Sequence, residues 1–158
     1  MKIQYYVAPY EADAQLAYLS KSGIADVIFT EDSDLLAFGA KKVFMKFDKD
    51  GNGYEIELDN LKKVEELNMQ HFDHDLFLTV CIMSGCDYLP SVKGIGFKKA
   101  FKYVWEVKGD VKEALKNMEK KKLVIPENYI ENFDKAFLTF HFQTIYCPLD
   151  KKLKHLKH

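Results

Sequence analysis

The chain contains no arginine; all 23 of its basic residues are lysine. Arginine is the side chain that most often reads a guanine edge bidentately, so any contact with DNA is expected to run to the phosphate backbone and to tolerate any sequence. An AT-rich genome would enrich lysine in the same way. Cysteine is sparse and odd in number. Cys81, Cys86 and Cys147 lack zinc-ligand spacing, and they read as reduced, buried thiols rather than a disulfide framework. No apolar run approaches the ~20 residues of a membrane span, and no secretory apolar stretch follows Met1. A soluble, intracellular protein with no membrane partner is expected. Internal repeats and low-complexity linkers are also missing.

What is present is enough for one domain with a sizeable core: 158 residues, 47% hydrophobic and 14% aromatic. The net charge of −1 conceals a strong asymmetry. Residues 1–90 carry 8 lysines against 16 acids, a charge of −8, whereas residues 91–158 carry 15 lysines against 8 acids, a charge of +7. An acidic half of the kind that holds cations is joined to a basic half of the kind that meets phosphates.

The acidic half is organised around two clusters. Pro9-Tyr10-Glu11-Ala12-Asp13-Ala14-Gln15 follows an apolar run at residues 3–8, and Thr30-Glu31-Asp32-Ser33-Asp34 follows a second at residues 27–29, within a strand expected over 26–30. Both runs read as strands and both clusters lead into helices, at residues 11–22 (ending at Gly23) and 35–38 (ending at Gly39). In an open α/β sheet, ligands lie beyond the carboxyl ends of parallel strands, so four or more carboxylates are expected to converge. Two carboxylates about 4 Å apart repel by roughly 4 kcal/mol at an effective dielectric of about 20, which a bound cation would offset. An all-oxygen donor set favours Mg²⁺, Mn²⁺ or Ca²⁺ over zinc. Acidic first turns of helices are the plainer alternative.

Further along, residues 41–47 and 54–58 read as a hairpin around Asp48-Lys49-Asp50-Gly51-Asn52-Gly53. Asp48, Asp50, Asn52 and Gly53 also fall on EF-hand positions, with Asp59 at the twelfth. The missing glutamate there and the strand-like flanks favour a tight turn. Residues 60–67 and 73–84 read as helices, the second with a core stripe of Phe72, Leu76, Phe77, Val80 and Cys81. His71 and His74 near its start lack a third ligand, so capping or solvent exposure is expected. Helices are also expected over residues 110–122 and 126–142, the latter with Pro126 in its first turn, followed by a frayed basic tail.

Between them lies Ser84-Gly85-Cys86-Asp87-Tyr88-Leu89-Pro90-Ser91-Val92-Lys93-Gly94-Ile95-Gly96, followed by a helix with Phe97, Ala100, Phe101 and Val104 on its buried face and Lys98, Lys99 and Lys102 on the other. Gly94 and Gly96 let backbone approach a ligand, and N–H groups at the helix start can take a phosphate. This is a helix-hairpin-helix pattern of sequence-independent DNA binding. The Lys120-Lys121-Lys122 run fits a solvated face as well as a DNA contact.

Three stretches in order, 9–19, 30–39 and 84–96, together resemble the flap endonuclease and XPG superfamily of 5′ nucleases, and within it the exonuclease branch; the segment 124–130 adds to the likeness. The resemblance implies an α/β fold, a PIN-like parallel sheet with flanking helices, followed by an α-helical helix-hairpin-helix region. It divides the chain into a metal-site region at 1–88, a DNA-binding helical region at 89–150 and a basic tail at 151–158. It implies a nuclear DNA-repair enzyme, a 5′ to 3′ exonuclease with flap endonuclease activity, acting on duplex DNA with 5′ ends, nicks or flaps. Two Mg²⁺ ions, replaceable by Mn²⁺, would be held by Glu11, Asp13, Asp32, Asp34 and Asp87. Glu31 does not match a ligand position. DNA would meet Gly94, Gly96, Lys98 and Lys99, with K⁺ held by the backbone of Ser91 and Ile95.

Family members place a further half of the nuclease core before the motif at Pro9, with two more aspartates and phosphate-gripping basic residues. The chain is therefore expected to be a fragment, a mispredicted product or one piece of a split protein, with the N-terminal half of the core as its partner. A non-catalytic DNA-binding module is the competing reading. A phosphotransferase using Asp32-x-Asp34 is more distant, since there the acids should follow the first strand.

Overall fold

The computed structural model describes residues 3–65 and 73–157, so His71 and Phe72 lie outside the described residues. The chain forms two compact units, one from residues 1–58 with 140–158 and the other from residues 59–139. Among the described residues no helix is long and apolar enough to cross a membrane.

In the first unit, α1 (Ala12–Lys21) buries Ala14, Gln15, Ala17, Leu19 and Ser20. The chain leaves α1 through Gly23, at φ +73°, while Ile24 N–H closes back on the Leu19 carbonyl at 2.9 Å. Next come β1 (Ile28–Phe29), the single turn α2 (Asp34–Ala37), β2 (Lys42–Met45) and β3 (Tyr54–Glu57). β1 pairs parallel to β2, with Ile28 opposite Val43, and β2 pairs antiparallel to β3. Every residue from Leu35 to Ala40 is buried, and the Phe38 ring packs on Phe140 at 4.6 Å between centroids. Ser20 Oγ accepts the Lys41 N–H at 3.0 Å, which ties α1 to the start of β2.

The hairpin loop is a turn, as its residue types favour. Asp48 Oδ1 accepts the N–H groups of Asp50 and Asn52, each at 2.9 Å, and Gly51 supplies φ +85°. These bonds, with that from the Asn52 side chain foremost, hold the Asp48 carboxyl below its usual pKa. Across the strands Lys42 pairs with Glu57 at 2.7 Å and Glu55 at 3.3 Å.

Two expectations for this unit fail. Residues 3–8 form no strand. The segment makes no ladder with any described residue, and Ile3, Tyr5 and Val7 are about four-fifths exposed. An apolar, β-prone run becomes a strand only when a neighbour takes its N–H and C=O groups. The sheet is therefore mixed and three-stranded, with a single parallel pair. The C-terminal basic segment, in turn, is ordered. β4 (Thr144–Cys147) and β5 (Lys152–His155) form an antiparallel hairpin, and Leu156 is buried. Cys147 is buried, whereas Cys81 and Cys86 are only half-buried, and none of the three is in a disulfide.

At the boundary of the second unit lies a 3₁₀ helix (Leu58–Lys63), overlapping the helix expected over residues 60–67, of which 66 and 67 lie outside the described residues. It is followed by α3 (His74–Ser84), α4 (Phe97–Glu106), α5 (Val111–Lys120) and α6 (Tyr129–Phe142), whose last residues belong to the first unit. Asp73 caps α3 by accepting the Asp75 N–H at 2.8 Å, and Asp110 caps α5 by accepting the Glu113 N–H at 3.0 Å. α3 is buried beyond one stripe: Leu78, Thr79, Ile82 and Met83 join Phe77 and Val80, while Leu76 and Cys81 are only half-buried. Pro126 stands ahead of α6, where its carbonyl accepts the Tyr129 N–H in the preceding turn.

Candidate functional site

The candidate acids of the first unit are placed by local backbone and, at Glu11, by a distant side chain. Glu11 is the residue before α1, in extended conformation, and Asp13 lies in the first turn. Glu11 Oε2 accepts from Gln143 Nε2 at 2.8 Å, across 132 residues of sequence. Asp32 follows β1, and its Oδ1 accepts the Asp34 N–H at 2.8 Å, an Asx turn that delivers Asp34 to the start of α2. Thr30 Oγ1 accepts the Asp32 N–H at 2.9 Å. Glu31 does something else: its Oε1 accepts the Lys46 N–H at 2.9 Å and fastens the loop to the end of β2.

Glu11 and Asp32 are exposed, and Asp13 and Asp34 are half-buried. The donors are all carboxylate oxygens, a set that suits a hard divalent cation. Among the described residues, however, no three His, Cys, Asp or Glu side chains form a group able to hold a metal ion. The expected convergence relied on residues 3–8 running as a strand parallel to β1, and that pairing is not made.

Asp87 belongs to the second unit. α3 ends at Gly85, at φ +103°, and an added Cβ there would stand 3.2 Å from the Ser91 backbone nitrogen. The chain then doubles back tightly. Cys86 and Leu89 exchange backbone hydrogen bonds at 3.0 and 3.2 Å, leaving Asp87 and Tyr88 as the tip of the turn. The Asp87 carboxylate is exposed and has no hydrogen bond or ion pair among the described residues.

Beyond Ser91 the loop is anchored by Val92 and Ile95, both buried, with Ile95 N–H bonded to the Val92 carbonyl at 2.9 Å. Gly94 has φ +85°, and Gly96 caps α4 in extended conformation. A Cβ at either glycine would meet nothing within 4 Å, so this backbone faces open space. The Gly96 carbonyl takes the N–H groups of Lys99 and Ala100, whereas the N–H groups of Gly96 and Phe97 have no acceptor among the described residues. Lys99 Nζ donates to the Gly94 carbonyl at 2.8 Å. Lys98, Lys99 and Lys102 are exposed, and Ala100, Phe101 and Val104 are buried, as the spacing predicts. Phe97 is an exception at 36% exposed, although its ring approaches Phe77 edge-on at 6.4 Å.

Residues 2–87 match the family model described as the XPG I-region. The chain belongs to the XPG I-region family. Among relatives of known name, it is 50% identical over 151 residues to Exonuclease 1 of Danio rerio, covering 93% of this chain and 19% of that protein. It is 42% identical over 155 residues to Exonuclease 1 of Oryza sativa subsp. japonica, covering 98% and 18%. The chain thus spans about a fifth of the length of the curated relatives it matches. Among solved structures, flap endonuclease-1 from Methanococcus jannaschii superposes with a TM-score of 0.65 at 27% identity, over 86% of this chain and 38% of that one. The matched XPG I-region reaches Asp87 and so contains all five candidate carboxylates.

The residues that sequence reasoning missed are Gln15 and Gln143, which hold α1 and Glu11 to the C-terminal hairpin. Side chains separated by more than 130 residues leave no mark in local spacing. The hairpin itself does carry a local signal, because Thr144-Ile145-Tyr146-Cys147 is β-rich and bounded by Pro148.

Proposed function

We propose that this chain is part of a metal-dependent 5′ nuclease of nuclear DNA repair, acting as a 5′ to 3′ exonuclease and flap endonuclease on duplex DNA with 5′ ends, nicks or flaps. The observation that carries this reading is the identity of 42–50% with proteins named Exonuclease 1, running along 93–98% of the chain. Glu11, Asp13, Asp32, Asp34 and Asp87 are the proposed ligands of two Mg²⁺ ions, with Mn²⁺ able to substitute. Such ions, when bound, lower the pKa of an attacking water and neutralise charge on the phosphate. The chain's own part is to position. The Asx turn at Asp32 fixes where Asp34 enters α2, and Gln143 restrains the Glu11 carboxylate. The remaining ligands and the phosphate-gripping residues are proposed to come from the N-terminal half of the nuclease core.

DNA binding is proposed at Gly94, Gly96, Lys98 and Lys99. Its support is an open loop with two N–H groups that have no acceptor among the described residues, and an adjacent lysine face. The carbonyls of Ser91 and Ile95 are the proposed K⁺ ligands. A second reading, a DNA-binding module without catalysis, is favoured by one observation, the lack of any three-donor group among the described residues.

Cleavage of a 5′-flap and of a recessed duplex in Mg²⁺ separates the two. The nuclease reading expects negligible cleavage by the chain alone and cleavage once the N-terminal half of a related core is added, since loss of positioning costs orders of magnitude in rate. Binding without cleavage in both samples would favour the module.

A further inference from the structure

The second unit holds a cavity of about 520 Å³ beside the loop at Gly94 and Gly96, which shares Ile95 and Lys99 with it. One wall is a single face of α4, where Lys99, Lys102, Tyr103 and Glu106 recur at helical spacing. The opposite wall is the turn after α5, carrying Lys121 and Leu123; Ile95 also lines the cavity. That turn is shaped by Lys122 at φ +63°, with Lys122 N–H bonded to the Glu119 carbonyl and Leu123 N–H to the Met118 carbonyl. The turn brings Lys121 to the same cavity as the α4 face.

The lining combines two chemistries. Three lysines and one glutamate line it, an excess of two positive charges, and the Lys99 ammonium also donates to the Gly94 carbonyl at 2.8 Å. Among the described residues Glu106 pairs only with Lys102, and that pair is long at 3.9 Å and well exposed. The Lys121 ammonium and the Tyr103 hydroxyl have no partner among the described residues. Ile95, Leu123 and the Tyr103 ring supply the apolar part. A bare anion would leave that part unused, and an apolar ligand would leave the lysines repelling one another. A ligand with an anionic group joined to a flat, largely apolar one satisfies both, and 520 Å³ falls in the range of small-ligand sites.

We propose that this cavity binds one nucleotide, its phosphate between Lys99, Lys102 and Lys121 and its base against Tyr103 and Leu123. The nucleotide is either free or part of a single strand, and the choice of a nucleic-acid ligand rests on the reading given under Proposed function.

The test is calorimetric titration of the chain with deoxyadenosine 5′-monophosphate, inorganic phosphate and deoxyadenosine. The nucleotide is expected to bind saturably and more tightly than either of its parts. Lys121→Glu and Tyr103→Leu should each weaken it about tenfold or more, the scale of one lost charge-assisted contact or one lost stacking contact. A single-stranded oligonucleotide that competes with the nucleotide, and is itself weakened by Lys121→Glu, identifies the strand as the source; failure to compete identifies the free nucleotide. No saturable nucleotide binding, equal binding of inorganic phosphate, or an unchanged affinity in Lys121→Glu would overturn the proposal. Lys121 is exposed, so an unchanged urea midpoint separates lost binding from lost folding. Blunt-duplex affinity of the native chain and of Lys98→Ala, measured in parallel, reports on the DNA-binding reading independently.

Discussion

The side chain of Gln15, on α1, makes both hydrogen bonds that the backbone of Tyr146, on β4, has to offer: Nε2 donates to the Tyr146 carbonyl at 2.8 Å and Oε1 accepts the Tyr146 N–H at 2.7 Å. In an antiparallel pair the N–H and C=O of alternate residues point away from the partner strand, and Tyr146 turns its pair towards α1 rather than β5. Gln15 is only 3% exposed. Replacing it by Ala leaves a part-buried donor and acceptor of the main chain unpaired, at a cost of about 1–3 kcal/mol. Urea unfolding should show a lower midpoint at an unchanged slope, with slope times midpoint shift equal to that loss.

This pairing shows why the motif 9–15 was only partly legible. The acids of Glu11-Ala12-Asp13-Ala14-Gln15 could be read as chemistry because carboxylates at the start of a helix serve either the helix terminus or a cation. The glutamine is as specific as the acids, yet its partner is 131 residues away. Residues 3–8 fail for a related reason. Their composition states a preference for extended structure, but pairing is a property of neighbours, and no described residue supplies one. The loop at 85–96 was read most fully, because positive φ at Gly85 and Gly94 and the cap at Gly96 are local demands that residue type records directly.

The Tyr129 hydroxyl is buried without a hydrogen-bond partner among the described residues, and burial pushes its pKa up from 10.0 to about 12, with Cys86 contributing in the same direction. Because the folded pKa lies above the unfolded one, this group's contribution is whole below pH 10 and is lost as pH rises towards 12. The loss approaches about 1.4 kcal/mol per pH unit within that window. Tyr129→Phe should flatten the fall of stability across it. At neutral pH the variant should also be about 1 kcal/mol more stable, because an unpaired buried hydroxyl is removed with little loss of volume. A destabilised variant would show that the hydroxyl has a partner in solution.

Gly85 combines φ +103° with a tight approach to the Ser91 backbone. Gly85→Ala should cost about 1–3 kcal/mol in thermal unfolding, since both the conformation and the space oppose a Cβ. The turn carrying Asp87 should loosen with it, seen as faster amide exchange at Cys86 and Leu89, whose reciprocal bonds define that turn.

Affinity for blunt duplex DNA should fall steeply with salt and show no preference for sequence. Each phosphate neutralised contributes about −0.9 to the log–log slope, so replacing Lys98 and Lys99 by Ala should flatten it by up to about two. An unchanged slope would move the DNA contact elsewhere.

The central claim, that the acids of this chain belong to a nuclease centre, is tested most directly where the rest of that centre is supplied. Exonuclease 1 of Danio rerio, with its matching 151 residues replaced by this chain, should cleave a 5′-recessed duplex in Mg²⁺. Asp32→Asn and Asp34→Asn in that chimera should each lower kcat by about 10²-fold or more, in the range seen when a preorganised electrostatic group is removed. Glu31→Gln should leave most of the activity, because Glu31 serves the Lys46 backbone and an amide oxygen can still accept that bond. A folded chimera that does not cleave, or one in which Glu31→Gln is as damaging as Asp32→Asn, would contradict the account.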